Sequence, residues 1–398
     1  MIDIAESGAP HPGALKNVRE ARHLDVDDVV RDVGISTEAL LAIEDGEEPA
    51  SRAVLKRLAK HYAVPLYFFY IDDLELTKTT LPDFRSRAPK VAKLGGALAA
   101  SVTRAYEIRD VLSEGIEKVE DVFKVRGALP SLNVEMSIKS AARRLRSYFR
   151  LEQRPAQTFE TTKVYLDWIR ARAEYAGIIT VFETLDAEDG RGYCIAHDNQ
   201  IPYVVVNTTN NIGQEPRIFT LMHELVHVAL HKSGVSDPFA TRNEVERFCN
   251  RVAAEVLMPE DAFLAAAARL ATVRSNNEFV RSLADAFKVS QQASALRAEL
   301  TGAKPEGFYQ RWMSQFTENV FSQYNFPVEK QIRISKDIGK RKIAKYGTTL
   351  PILLFELFEH RFIGALDIRR ISGIKPKYLA ATYGAATKRL KELGLDGE

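Results

Sequence analysis

Phe219-Thr220-Leu221-Met222-His223-Glu224-Leu225-Val226-His227-Val228-Ala229-Leu230-His231 is an apolar stretch whose only ionisable groups are one carboxylate and three imidazoles. His223 and His227 are four residues apart, so on an α-helix both imidazoles lie on one face and can bind a single metal ion. The stretch is apolar enough for a buried helix, in which the charge of Glu224 would be costly unless it serves a function. The pattern H-E-x-x-H predicts that function, because it places a carboxylate that can act as a general base beside a metal-bound water.

A second helix, predicted from the recurrence of apolar residues over 244–258, offers a third ligand. Glu246 is the first candidate and Glu244 is the alternative, whereas Glu255 is expected to be a solvated charge. A loop at 233–238 gives the chain room to return from the first helix to the second. Two histidines and one glutamate leave a fourth position for water, as in catalytic zinc sites. Zn²⁺ is therefore the expected cofactor.

Both helices resemble those of the ImmA/IrrE metallopeptidases. Residues 217–227 are similar to the active-site helix of that family, and residues 246–259 are similar to the helix that carries its third ligand. Two departures, Val226 in place of a usual glycine and Phe248-Cys249-Asn250 in place of Glu-Ala-Asn, fall on no expected ligand. The resemblance covers roughly residues 81–302. It implies a zinc endopeptidase with a zincin-like (gluzincin) core that cleaves a repressor or antitoxin, often a helix-turn-helix protein encoded nearby.

Further polar residues are candidates for assisting such a reaction. Asn250 lies one turn after the third-ligand candidate and could orient a ligand, or could be a satisfied buried amide. His231 continues the row of metal-binding histidines and could polarise the substrate carbonyl, although a cation closing the helix C-terminus is the simpler interpretation. His197, Tyr193 and Tyr203 are weaker candidates for polarising the carbonyl.

A small sheet is predicted directly before the metal-binding helix. Residues 177–182, 193–197 and 202–207 have the apolar and β-branched composition of strands, and the last two are expected to form a hairpin. An extended substrate could pair with an exposed edge strand and so bring its scissile bond to the metal. Residues 193–197 are the expected edge.

The N-terminal part of the chain predicts a bundle of short helices over residues 14–70. Gly34 makes a turn between two of them, and Ser36 is a suitable N-cap for the helix that follows. Two helices joined by a glycine-containing turn are typical of a helix-turn-helix unit. With Ile43-Glu44-Asp45-Gly46 and residues 58–65, this part resembles the lambda-repressor/Cro (XRE) domain.

Whether this unit binds DNA is left open by its charge. Thr37 and Glu38 could read bases, with Lys16, Arg19 and Arg52 on phosphates. The recognition helix, however, contains no lysine or arginine, and phosphate neutralisation supplies much of the affinity of such domains. The alternative is a docking module for a protein partner or for a second copy of the chain, which would give a homodimer.

Charge is unevenly distributed along the chain. Residues 1–70 have a net charge of −4 and residues 303–398 have a net charge of +7. The C-terminal part has a basic run at 330–345, an apolar helix at 350–358 and a helix, glycine turn and helix over 365–379. This basic region is the better electrostatic candidate for nucleic acid. It could equally hold the substrate repressor or sense a signal.

Length and composition set the wider limits. A chain of 398 residues that is 45% hydrophobic can bury more than one core. No apolar run approaches the ~18 residues of a membrane span, and the start lacks the features of a signal peptide. Two cysteines, Cys194 and Cys249, argue against a disulfide scaffold, so we expect a cytoplasmic protein without a membrane partner. Cys249 is expected to be a small buried hydrophobe rather than a ligand or redox switch.

These observations predict a mostly α protein with a small β-sheet (α+β). The expected domains are a helix-turn-helix domain at 1–75, a metallopeptidase domain at 76–302 and a basic helical domain at 303–398. The first functional hypothesis is a zinc-dependent endopeptidase that cleaves a regulatory protein. The alternative is a DNA-binding transcriptional regulator of a stress or mobile-element response, with a structural or sensing zinc site. Glu224 separates them, because a structural site does not need that buried carboxylate.

Overall fold

The computed structural model describes most of the chain. The described residues are 10–22, 24–62, 64, 66–71, 82–83, 90–91, 96–115, 129–186, 190–196, 200–209, 213–236, 243–316 and 337–395. The chain divides into two compact units, one comprising 1–83 with 89–110 and the other 84–88 with 111–398. The predicted domain limits at 75 and 302 are not tested by this division and stay a prediction. The described helices include none long and apolar enough to cross a membrane.

The first unit is helical. Its elements are α1 (Pro12–Ala21), α2 (Val26–Val33), α3 (Thr37–Asp45), α4 (Arg52–His61), a 3-10 turn (Leu66–Tyr70), the short pair β1 (Pro82–Asp83) and β2 (Lys90–Val91), and the start of α5 (Gly96–Gly115). Gly34 adopts a left-handed conformation between α2 and α3, with φ of 69°, where a side chain would be strained. The Ser36 hydroxyl accepts a hydrogen bond from the Ala39 amide and so caps α3. The predicted helix-turn-helix is thus present.

The second unit combines helices with a small sheet. Its elements are α6 (Ile138–Tyr148), α7 (Thr162–Tyr175), β3 (Ile179–Glu183), β4 (Gly192–Ile195), β5 (Tyr203–Asn207), α8 (Gln214–Ala229), β6 (Gly234–Ser236), α9 (Glu244–Leu257), α10 (Glu260–Arg269), α11 (Asn276–Phe287), α12 (Gln291–Leu300), α13 (Phe308–Met313), α14 (Ile338–Tyr346), α15 (Thr349–Glu359), α16 (Ala365–Ser372) and α17 (Leu379–Glu392). The predicted α+β class is confirmed.

The strands of this unit run in the order β6-β4-β5-β3. β3 and β5 are parallel, and β4 is antiparallel to both β5 and β6. The predicted hairpin of β4 and β5 is therefore correct, but the prediction that residues 193–197 form an edge was wrong. The loop expected at 233–238 contains β6, which covers β4. β6 is only three residues long, too short to show the alternation by which strands are predicted.

The C-terminal helices are joined to the sheet through a buried polar network. The guanidinium of Arg170 donates hydrogen bonds to the backbone carbonyls of Ala344 and Lys345, each at 2.8 Å. The carboxylate of Glu174 accepts from the Thr348 amide at 2.6 Å and from its hydroxyl at 2.5 Å. Because a buried charge is costly unless it is paired and hydrogen-bonded, this network holds α14 and the start of α15 against the rest of the second unit.

Candidate metal centre

Helix α8 is positioned by burial along nearly its whole length. Its residues from Thr220 to Ala229 are all buried, and it packs against β4 and β5 on one side and α9 on the other. Such a helix must be apolar all round, as the sequence of this stretch is. The few polar groups on it are therefore held in a fixed, dry environment.

The predicted ligands converge at one point between α8 and α9. His223, His227 and Glu246 form a fully buried group able to hold a metal ion. The two Nε2 atoms are 3.1 Å apart. Nε2 of His223 lies 3.1 Å from Oε2 of Glu246, and Nε2 of His227 lies 3.1 Å from Oε1 of the same carboxylate. Helical spacing thus aligns the two imidazoles, and packing of α9 on α8 adds the carboxylate.

This donor set fits a divalent ion. Donor atoms bound at about 2.0–2.1 Å on a tetrahedral ion are roughly 3.3 Å apart, close to the 3.1 Å separations of the three side chains. Burial alone would raise the pKa of Glu246, but its hydrogen bonds with the two histidines outweigh burial and lower it. Burial lowers the pKa of His227, with Glu246 opposing and His223 adding to the effect. The anionic carboxylate and the neutral imidazole are the forms that bind a metal.

Glu224 lies beside this group on the side of the sheet. A Cβ atom added to Gly192 would lie 3.0 Å from Oε1 of Glu224 and 3.1 Å from Cγ2 of Thr220. The glycine on β4 therefore leaves room for the carboxylate. Sequence reasoning missed Gly192, because a glycine inside a strand signals close approach of another group without showing which group that is.

The positions of the other polar residues of α9 bear on which of them can act as the third ligand or orient one. Glu244 is exposed in the first turn of α9, so Glu246 is the carboxylate that reaches the histidines. The expectation that Glu255 is solvated was wrong: it is buried, accepts a hydrogen bond from the Glu260 amide at 3.2 Å and pairs with Arg297. Asn250 is half-buried one turn after Glu246, and its role in orienting a ligand stays a prediction.

The candidates for polarising a carbonyl that the structure describes do not gather at the centre. His231 is exposed and left-handed, with φ of 53°. Its amide donates to the Val228 carbonyl, and the Lys232 amide donates to the His227 carbonyl, which closes the helix as a Schellman motif. Tyr193 is wrong for this role, because side chains alternate along a strand and its neighbour Gly192 faces Glu224. His197 lies outside the described residues.

Tyr203 is excluded by the same alternation. It pairs with Ile195 across the hairpin, and Ile195 shares the strand face of Tyr193 rather than that of Gly192. Both tyrosines are fully buried on this far side of the sheet. Neither side chain is therefore directed toward the donor group.

Both cysteines are buried next to this centre. Burial raises the pKa of Cys194 well above its ordinary value, and the charge of Glu224 raises it further. Burial also raises the pKa of Cys249, and the charges of Glu246 and Glu224 add to the effect. Burial and the neighbouring carboxylates thus disfavour the thiolate, the form in which a cysteine is a nucleophile or a ligand, and neither thiol belongs to the described donor group. This supports the expectation that Cys249 acts as a small hydrophobe.

In the first unit, the predicted DNA contacts are partly accessible. Glu38 and Arg52 are exposed and Thr37 is half-buried, so their use in DNA binding stays a prediction. Arg19 is not available for a phosphate. Its guanidinium donates two hydrogen bonds to the buried carboxylate of Glu44, at 2.7 and 2.8 Å, and this pair joins α1 to α3.

Comparison with known protein families identifies two domains in the chain. Residues 173–299 match the family described as the IrrE N-terminal-like domain, which here comprises β3 to α12 with the metal centre. Residues 13–66 match a helix-turn-helix domain and comprise α1 to α4. No curated protein and no solved structure matches the chain. The resemblance to ImmA/IrrE proteins with an N-terminal helix-turn-helix is thereby confirmed.

Proposed function

Because its central domain is metallopeptidase-like, we propose that this chain is a zinc-dependent endopeptidase that cleaves a regulatory protein. The observation that carries the proposal is the convergence of His223, His227 and Glu246 in a fully buried group, with the carboxylate of Glu224 beside it. Two imidazoles and one carboxylate are the donor set of gluzincin-type catalytic sites. Burying these groups is costly unless they are paired with one another or coordinate a metal ion.

Each residue of the centre has a distinct role. His223, His227 and Glu246 would hold zinc, which when bound supplies Lewis-acid chemistry by polarising a carbonyl and acidifying water. Glu224 takes a proton from the attacking water and returns it to the leaving amine. Gly192 keeps the space in which the Glu224 carboxylate lies. The low-polarity surroundings provided by α8 and the sheet strengthen these electrostatic interactions.

Access to the centre requires movement. His223, Glu224, His227 and Glu246 each have 0% of their surface exposed. A peptide bond can reach Glu224 only after the surrounding elements separate. We therefore expect the resting protein to be slow, and its activity to rise when a substrate or partner opens the centre.

The proposed substrate is a repressor or antitoxin-like protein with its own helix-turn-helix. The support is the presence of a metallopeptidase-like domain and a helix-turn-helix domain on one chain, together with the family resemblance. The helix-turn-helix domain would bring the peptidase to the regulator, either on DNA or by direct contact. Specificity would then come from this domain as well as from the centre.

The test uses the full chain, a helix-turn-helix repressor encoded nearby, and mass spectrometry of the products. Wild-type protein should give defined fragments that disappear with a chelator and return with Zn²⁺. Glu224→Gln should retain zinc, measured by elemental analysis, and lose about 10²–10⁴-fold in cleavage rate. The matched control is Glu244→Gln, the same change on an exposed position of α9, which should cleave like wild type. Cleavage at the wild-type rate by the chelated protein, or by the Glu224 variant, would refute the proposal.

The second candidate function is a DNA-binding regulator with a structural or sensing zinc. The observation that favours it is the helix-turn-helix match at 13–66. In that case chelation should change DNA binding, and no fragment should appear with any repressor. Glu224→Gln should then leave DNA binding unaffected. The two functions therefore give different results in the same pair of assays.

A further inference from the structure

The C-terminal part contains a segment that resembles α2 and α3: it consists of α16, a glycine turn, a 3-10 turn (Pro376–Tyr378) and α17. Its first helix is eight residues long, like α2. It ends at Gly373, which is left-handed with φ of 63°, as α2 ends at Gly34 with φ of 69°. An isoleucine follows each glycine. The next helical residues begin three positions after each glycine, as the α-helix α3 after Gly34 and as the 3-10 turn that leads into α17 after Gly373. Because only glycine adopts this turn without strain, the two segments share the same glycine-dependent turn after their first helix.

The buried positions of the two segments also correspond. Val29 of α2 and Ile368 of α16 occupy the same place before the glycine, and both have 0% exposure. Leu40 of α3 and Leu379 of α17 are both buried at the same distance after it. The second helix of each pair is thus held to its bundle by the same side.

The exposed positions differ in charge. The position of exposed Glu38 in α3 is taken by exposed Lys377 in the 3-10 turn before α17. Lys375 precedes it in the turn and Lys388 follows on the helix, and both are exposed. Residues 1–70 have a net charge of −4, whereas residues 337–395 have a net charge of +7. The exposed lysines and the net positive charge that favour binding of a polyanion therefore lie at α16 and α17 rather than at α2 and α3.

Neighbouring contacts concentrate this positive charge. Lys342 of α14 donates a hydrogen bond to the Gly373 carbonyl at 3.2 Å, which brings a further cation to the turn. The carboxylate of Asp367 accepts from the Gly364 amide at 2.9 Å and caps α16. Glu392 pairs with Arg389 at 3.1 Å. Asp367 and Glu392 thus each have a partner at or within their own helix.

We infer that α16 and α17 bind duplex DNA, and that this surface, rather than α3, is the main DNA-binding site of the chain. Lys375, Lys377 and Lys388 neutralise phosphates along the backbone. Between the lysines, the exposed face of α17 presents Ala380, Ala381 and Gly384. Small side chains there allow the helix to approach a groove closely, as the second helix of a helix-turn-helix does. A nucleic acid is favoured over a protein partner because this face of α17 is basic and carries no large apolar anchor.

The experiment is a titration of fluorescent mixed-sequence duplex DNA with the full-length protein, read by anisotropy at several salt concentrations. The triple variant Lys375→Glu, Lys377→Glu, Lys388→Glu should bind DNA more than about tenfold more weakly. The slope of its log association constant against log salt concentration should be smaller in magnitude by roughly 0.9 for each phosphate that is no longer neutralised. The matched control reverses three exposed arginines, Arg269, Arg274 and Arg281. It makes the same change in net charge and should bind close to wild type.

Three results would overturn the inference. They are absence of binding by wild type at low salt, equal losses in the two triple variants, and loss of binding on charge reversal of Arg52, Lys56 and Arg57 while the C-terminal triple variant still binds. Circular dichroism and the melting temperature show whether each variant is folded. A single exchange, Lys377→Glu, is the milder second variant and should weaken binding in the same direction. Because the readout is DNA affinity, failure here is distinct from failure of the proposed peptidase activity.

Discussion

Replacing Gly192 with alanine tests whether the sheet positions Glu224, the proposed general base. The added Cβ would lie 2.6 Å from the Val205 carbonyl oxygen and 3.0 Å from Oε1 of Glu224, whereas ordinary contact begins at 3.4 Å. The carbonyl must therefore move by about 0.8 Å and the carboxylate by about 0.4 Å, and overpacking of this kind costs about 1–3 kcal/mol. The carbonyl belongs to β5, which is paired with β4 and cannot move alone.

Two measurements follow from these displacements. The melting temperature of Gly192→Ala should fall by roughly 4–8 °C, since about 2 kcal/mol corresponds to a few degrees for each kcal/mol in a unit of this size. A misplacement of about 1 Å can cost a hundredfold in rate, so the smaller shift of Glu224 should reduce the rate of repressor cleavage about tenfold. Zinc content should stay near wild type, because no ligand is displaced.

The control is Gly384→Ala. A Cβ at Gly384 on α17 would meet nothing within 4 Å, so alanine there should stabilise the helix by about 0.5–1 kcal/mol. If Gly192→Ala melts and cleaves like wild type, then β4 does not define the position of Glu224, and the described arrangement of the centre is incorrect.

Three further substitutions test other parts of the structure. Glu174→Ala should lower the free energy of unfolding by about 3–5 kcal/mol in denaturant titrations, because it leaves the buried charge of Arg170 without its partner; a loss below about 1 kcal/mol would contradict the role of this network. His231→Gly should raise stability by about 0.5–1 kcal/mol, because glycine relieves the left-handed φ of 53°, and should leave cleavage unchanged; a large loss of activity would show that His231 acts on the substrate. Burial raises the pKa of Tyr165 to about 12, so the unfolded chain, with a tyrosine pKa near 10, loses its proton first and stability falls by up to about 1.4 kcal/mol per pH unit between those values. Tyr165→Phe should show a correspondingly flatter decline in unfolding free energy above pH 10, and an unchanged slope would contradict the burial of this phenol.

The sequence was most informative where structure is local. Helical periodicity places His223 and His227 on one face, and Gly34 with Ser36 marks the turn and cap of the helix-turn-helix. These features depend on residues within one or two turns of each other, so their spacing alone predicts them. The resemblance to the ImmA/IrrE proteins and the α+β class were also predicted from such local patterns, and both are confirmed.

Pairing between distant segments could not be predicted. Glu255 is buried because it pairs with Arg297, and Arg19 is unavailable to a phosphate because it pairs with Glu44. Both contacts join residues that are far apart in sequence. A strand as short as β6 has no periodic signal, so the burial of β4 behind it was missed. Tyr193 was misjudged for a related reason. Side chains alternate between the two faces of a strand, and the sequence does not show which of those faces packs against α8.

By itself, the sequence determined the pair of histidines on one face of α8 that is the candidate metal-binding pair, the helix-turn-helix at the N-terminus and the uneven charge of the two ends, because each depends on local spacing or on composition. Only the tertiary structure decided that Glu246 rather than Glu244 faces the histidines, that Gly192 opens space for Glu224, and that the C-terminal helices are bound to the sheet through Arg170 and Glu174. The physical reason is that these features arise from packing of whole helices and strands on one another, which spacing along a single segment does not encode.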